Sequence, residues 1–76
     1  MNELVTYIAS QLVDNPDDVS VNKVEDGETD VYELSVHNDD LGRVIGRAGS
    51  TARAIRAILR SGAAKAGRFA YLEILE

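Results

Sequence analysis

No cysteine occurs in the 76 residues, which excludes disulfides, thiolate metal sites and a cysteine nucleophile together. The only histidine, His37, ends a strand-like run with no second ligand type near it, so neither a metal cluster nor a nucleophile-base pair takes shape in the sequence. The acids of "DNPDD" and "EDGETD" lack the spacing of a calcium loop and read as turns and a solvated edge. No apolar run approaches the roughly 20 residues that cross a bilayer. The first residues, "MNELVTYIAS", carry an acid where a secretory signal carries its basic region, and the expectation is a soluble cytoplasmic protein. No segment is repetitive or low in complexity; with 45% hydrophobic and 28% charged residues, the balance is that of one small folded domain covering residues 1–76.

One absence is local. Between Leu41 and Leu72 there is no Asp or Glu, although the whole chain carries a net charge of -5. Residues 1–40 hold eleven acids and one base, Lys23, whereas residues 41–72 hold seven of the eight bases and residues 73–76 add two acids. Such a division suggests a polyanion for one face and repulsion elsewhere; an equally good reading of charge alone is a solvated helix face.

Apolar periodicity supplies the elements. Asn2 can cap a helix carrying Leu4, Val5, Ile8, Ala9 and Leu12, which "DNP" at Asp14–Pro16 stops. Val19 and Val21, then Tyr32, Leu34 and Val36, alternate with polar residues on either side of a turn at Asp26-Gly27, giving an antiparallel hairpin. Asp39 or Asp40 caps a short helical turn, "LGRVIG", which glycines at 46 and 49 interrupt. A longer helix starts at Ser50 or Thr51, with Ala52, Ile55, Ile58 and Leu59 on its buried side and Arg53, Arg56 and Arg60 opposite, and ends near Gly62 or Ala66-Gly67. "RFAYLEIL" closes as a strand whose apolar residues fall on both faces, a pattern suited to burial on much of both sides. The two helices between the second and third strands make a crossover, so those strands run parallel. The fold class is α+β, in the order α-β-β-α-α-β, with a three-stranded mixed sheet packed on one face by three helices.

"GRAG", Gly46–Gly49, bears the chemistry. Two glycines flanking two residues let a ligand's backbone approach the main chain, and the helix that follows offers unpaired N–H groups and a positive dipole end. Arg47 adds a mobile cation. A triphosphate loop would need a lysine where this chain runs Gly49-Ser50-Thr51, and a dinucleotide fingerprint would need a strand before Gly42 and a far longer domain. The third possibility is a clamp on an RNA backbone.

Val44, Ile45, Gly46, Arg47, Ala48 and Gly49 match the V-I-G-x-x-G signature of KH domains, and "RVIGRAGSTARAIRAIL" resembles the core of that motif. The element order is similar to the type II, bacterial arrangement, and the whole chain resembles the small stand-alone bacterial KH proteins of the KhpA/YlqC-like family. It departs from many KH domains at Ala52, where isoleucine is frequent, and at Ala48, where a polar or basic residue is. The resemblance implies a non-catalytic module that binds about four single-stranded nucleotides, the GxxG loop clamping the backbone beside a groove for the bases. The positions that carry over are Gly42, Arg43, Val44, Ile45, Gly46, Arg47, Ala48, Gly49, Ser50 and Arg53. It implies no cofactor, no small-molecule substrate and no membrane, a role in RNA chaperoning or post-transcriptional regulation, and links to cell shape and envelope growth. It also implies homodimers and association with a larger Jag-type KH protein; Ile58, at the edge of the long helix's apolar stripe, is the candidate contact. A protein-interaction subunit, with RNA binding weak or secondary, is the alternative function.

Overall fold

Residues 2–12 pack one apolar side onto the rest of the chain. A computed structural model describes all 76 residues, and in it helix α1, Asn2–Leu12, buries Val5 and Ala9 completely, with Ile8 packed beside them. Asn2 is not the cap. Met1 takes that position, because the Val5 amide already donates to the Met1 carbonyl (3.1 Å), which draws Asn2 into the first turn. Val13 is extended, and a turn over Pro16–Asp18 leads into the hairpin.

Strands β1 (Ser20–Asp26) and β2 (Thr29–Ser35) pair antiparallel around Gly27, whose φ of 61° suits glycine in a tight turn. After β2 come helix α2 (Leu41–Ile45), the glycine loop and helix α3 (Ser50–Ala64). Arg68 N–H returns to the Ala63 carbonyl and Gly67 N–H to that of Ala64, the paired bonds of a Schellman stop, with Gly67 left-handed at φ 71°. Strand β3 (Phe69–Ile74) then runs parallel to β2, and the sheet order is β1-β2-β3. The order of elements, the mixed sheet and its single helical layer agree with the α+β expectation.

Leu34 and Leu72 from the sheet meet Val5, Val44 and Leu59 from the three helices, all five wholly buried. Two expectations fail here. β3 is covered on one face only: Ala70, Leu72 and Ile74 face the helices, whereas Phe69 and Tyr71 are 64% and 52% exposed. It lies at the sheet edge and no second layer exists, so its outward apolar residues are surface. Ile58 is 46% exposed, not part of the buried stripe, which runs through Ala52, Ile55, Leu59 and Ala63. At 3.6 residues per turn it sits roughly 100° from the middle of that stripe.

Two buried carboxylates fix the frame. Asp40 accepts from the Asn15 amide and side chain (3.0 Å each) and from the Asp14 amide (3.3 Å), tying the exit of α1 to the start of α2. Burial alone would push this carboxyl up, but those hydrogen bonds prevail and hold it below the ordinary value. Asp30 receives the Arg68 guanidinium at 2.7 Å, with Lys23 at 3.9 Å. The Arg68 hydrogen bonds, opposed in part by burial, lower its pKa and raise that of Arg68.

Candidate nucleic-acid interface

Gly46 has φ 76° and ψ 172°, and a Cβ there would collide with Thr51 Oγ1 and stand 2.7 Å from the Thr51 backbone nitrogen. Only glycine fits. Ala48 is left-handed (φ 54°), as is Gly49 (φ 76°). For an L-residue with a Cβ this conformation costs about 1–2 kcal/mol. The Arg53 guanidinium donates to the Ala48 carbonyl at 2.6 Å and so braces the strained residue from one turn into α3. Gly49 directly precedes α3 and no side chain caps that helix; the Gly49 and Ser50 amides already donate to the Gly46 and Arg47 carbonyls, the tight turn that leads into its first residues. Arg47 is exposed and makes no ion pair.

The loop opens onto a groove of about 300 Å³. Ile45, Gly49, Ala52 and Arg56 form one wall; Tyr71, Glu73, Ile74 and Glu76 form the other. The crossover explains the pairing, because α3 returns across β3 and faces its free edge. Arg56 spans the two walls: Nε and an Nη donate to the Leu72 carbonyl (3.3 Å each), and the guanidinium lies 5.5 Å from the centre of the Tyr71 ring.

Of the residues expected at the site, Ile45 and Gly49 line the groove, and Gly46, Arg47, Ala48 and Ser50 form the loop and the head of α3. Val44 is wholly buried and serves as support beneath the groove, not as part of its surface. Gly42 is exposed beside open space. Arg43 pairs with Asp14 (2.9 Å) and lies 3.8 Å from Asp40, turned toward the end of α1. Ala52, Arg56, Tyr71, Glu73, Ile74 and Glu76 complete the groove without having been singled out. Arg56 was within reach, since it follows Ala52 by four residues and Gly49 by seven, on one side of a helix; the β3 residues were not, since only the tertiary fold brings them there.

The acid-free segment is therefore not one polyanion-facing surface. Arg43 and Arg68 neutralise acids from the first half of the chain, Arg53 and Arg56 hold backbone carbonyls, and Arg47, Arg60 and Lys65 are free of ion pairs.

Residues 2–74 match the family profile described as "KhpA/KhpB, KH domain". The chain is 47% identical to the RNA-binding protein KhpA of Halalkalibacterium halodurans over 76 residues, the full length of both. It is 44% identical to the RNA-binding protein KhpA of Clostridium perfringens over 75 residues (99% of this chain, 100% of that one). It is 45% identical to that of Borreliella burgdorferi over 74 residues (97% and 90%). No solved structure matches it.

Proposed function

Because the chain belongs to the KhpA/KhpB family of KH domains, a non-enzymatic family, we propose that it is a cytoplasmic single-stranded RNA-binding protein whose GxxG loop clamps the RNA backbone. One observation carries the reading: the glycine loop Gly46–Gly49, with Arg47 exposed and outside any ion pair, brings the head of α3, which no side chain caps, to the mouth of a groove. A phosphate there meets the positive end of a 15-residue helix and a free guanidinium. Bases leave that phosphate toward Ile45, Ala52 and Ile74, against which they bury apolar surface.

About three phosphate contacts give a modest affinity and a log-log salt slope of roughly -2. Two linked copies on one RNA bind far better, since the second contact is intramolecular. Short labelled single-stranded RNAs, titrated by fluorescence anisotropy at several salt concentrations against wild type and an Arg47→Asp, Ala48→Asp variant, test the clamp. Circular dichroism checks that both proteins are folded. Salt-sensitive binding lost in the variant supports it; binding indifferent to the loop overturns it. RNA chaperoning or post-transcriptional regulation is the role such weak, multivalent binding suits.

Ile58 favours a second, compatible reading, in which the outer side of α3 docks another KH chain. It is a large aliphatic residue left exposed beside the small residues Ala54, Ala57 and Ser61, which allow close helix approach. A second copy, or the larger Jag-type KH protein that the family resemblance implies, is the partner. Sedimentation of wild type and Ile58→Asp tests it: a dimer lost in the variant supports the contact, and a monomeric wild type removes the homodimer.

A further inference from the structure

The two walls of the groove differ in charge. The loop and α3 side presents Gly49 and Arg56, with Arg47 and Arg53 adjoining, and holds no acid. The β3 side presents two carboxylates, Glu73 and Glu76, beside Ile74 and Tyr71. Glu73 and Glu76 are both exposed and neither is in an ion pair or side-chain hydrogen bond. Arg56, the one cation in the groove, is already committed to the Leu72 carbonyl and the Tyr71 ring. The carboxylates consequently face the groove with their acceptor capacity unspent.

A carboxylate on this wall does two things to a nucleotide chain. It repels phosphate, which confines the backbone to the loop side and turns the bases toward β3. And, as an ionised acid, it only accepts hydrogen bonds. Cytosine and adenine offer an exocyclic amino group, N4–H2 or N6–H2, where uracil presents the O4 carbonyl. Against uracil the carboxylate meets an N–H flanked by two carbonyl oxygens, whose repulsion offsets the one bond made.

We infer that Glu73, backed by Glu76, makes the groove discriminate between bases, favouring those with an exocyclic amino group, cytosine, adenine and guanine, over uracil, the one base that lacks it. The inference rests on the clamp reading above and adds to it a chemical class of ligand. Cytosine and uracil share ring size and stacking area, so the difference in their affinities isolates this edge.

Fluorescence anisotropy with labelled oligo(C), oligo(A) and oligo(U) of equal length, at fixed salt and neutral pH, measures the effect on wild type, Glu73→Gln and the Arg47→Asp, Ala48→Asp variant. Wild type is expected to bind oligo(C) and oligo(A) about tenfold more tightly than oligo(U), the size of one hydrogen bond to a charged group. Glu73→Gln, whose amide both donates and accepts, should bring the ratio close to one, largely by improving oligo(U). The loop variant should weaken all three alike. A wild type that binds all three equally, or a ratio untouched by Glu73→Gln, overturns the inference and leaves the clamp standing. A wild type that binds none of them removes the clamp reading and this inference with it.

Discussion

At residue 46 a single methyl group would meet the Thr51 backbone nitrogen at 2.7 Å, on a backbone already at φ 76°. Steric overlap with main chain and left-handed strain act together there, and neither yields to a side-chain rotation. Gly46→Ala should destabilise the domain by more than about 1 kcal/mol, seen as a lower urea midpoint, while Gly42→Ala, beside open space on α2, should leave it unchanged or slightly higher. An unaltered midpoint for Gly46→Ala would mean that the loop is not built this way. The glycine spacing made the loop legible in the sequence, because few purposes need two glycines flanking two residues at the head of a helix. Ala48 was not legible: nothing in an alanine announces a positive φ, and its conformation follows from the chain on either side and from the Arg53 brace. Val44 and Ile45 likewise could not be told apart by type, since both are apolar; one faces the core and the other the groove.

At the scale of elements, α3 sets the outcome. Its buried stripe, Ala52, Ile55, Leu59 and Ala63, is built of small and medium residues, and Gly62 stands next to it in the helix interior. A Cβ on Gly62 would touch only the Sδ (2.7 Å) and Cε (3.2 Å) of Met1, the far end of a flexible side chain. Met1 can swing away, and the helix gains a better former. Gly62→Ala should therefore raise stability by up to about 1 kcal/mol, measured as an increased urea midpoint with unchanged slope; a decrease would show that Met1 is fixed on that spot. Every α-helix and strand was legible from periodicity, but the hairpin strands run deeper into the turn than their alternation showed: β1 reaches Asp26 and β2 starts at Thr29, through polar residues that pair by backbone alone. What periodicity could not supply was the partner of each face. The run Phe69, Tyr71 and Leu75 has the look of a buried surface, and only the sheet order, with β3 at an edge and helices on one side, shows that it meets solvent. Ile58 misled in the same way, being apolar and three residues from Ile55 but turned out of the stripe.

For the molecule as a whole, Asp30 and Asp40 make stability depend on acid. Both carboxyls sit below their ordinary value of 3.8 in the folded protein, so the unfolded chain binds more protons as pH falls toward and below that value. Their contribution is complete above it and fades as pH drops through the lowered folded values. Thermal midpoints followed by circular dichroism should be nearly flat from neutral pH to about 5 and then fall, and the acid limb should be shallower in an Asp30→Asn, Asp40→Asn variant. An acid limb as steep in the variant as in wild type would move the effect to other carboxylates. The uneven charge that stood out along the sequence is explained in part by this internal pairing: Arg68 and Arg43 come from the basic half to meet acids of the first half, as Lys23 approaches Asp30 from β1.

The groove takes one wall from α3 and the other from β3, and β3 joins the sheet only by pairing with β2 across the long crossover that contains the loop. No locally folded fragment holds both walls. An RNA seated there as proposed engages the fully folded chain alone, so its occupancy and folding are linked: at a free RNA concentration a hundred times the Kd, the whole domain would gain about 2.7 kcal/mol against unfolding. For a chain of 76 residues that is a large share of the roughly 5 kcal/mol on which a small domain rests. Bound RNA would then shield the protein from proteases and heat as one unit, and a cell short of its RNA would hold the same chain closer to its unfolding threshold.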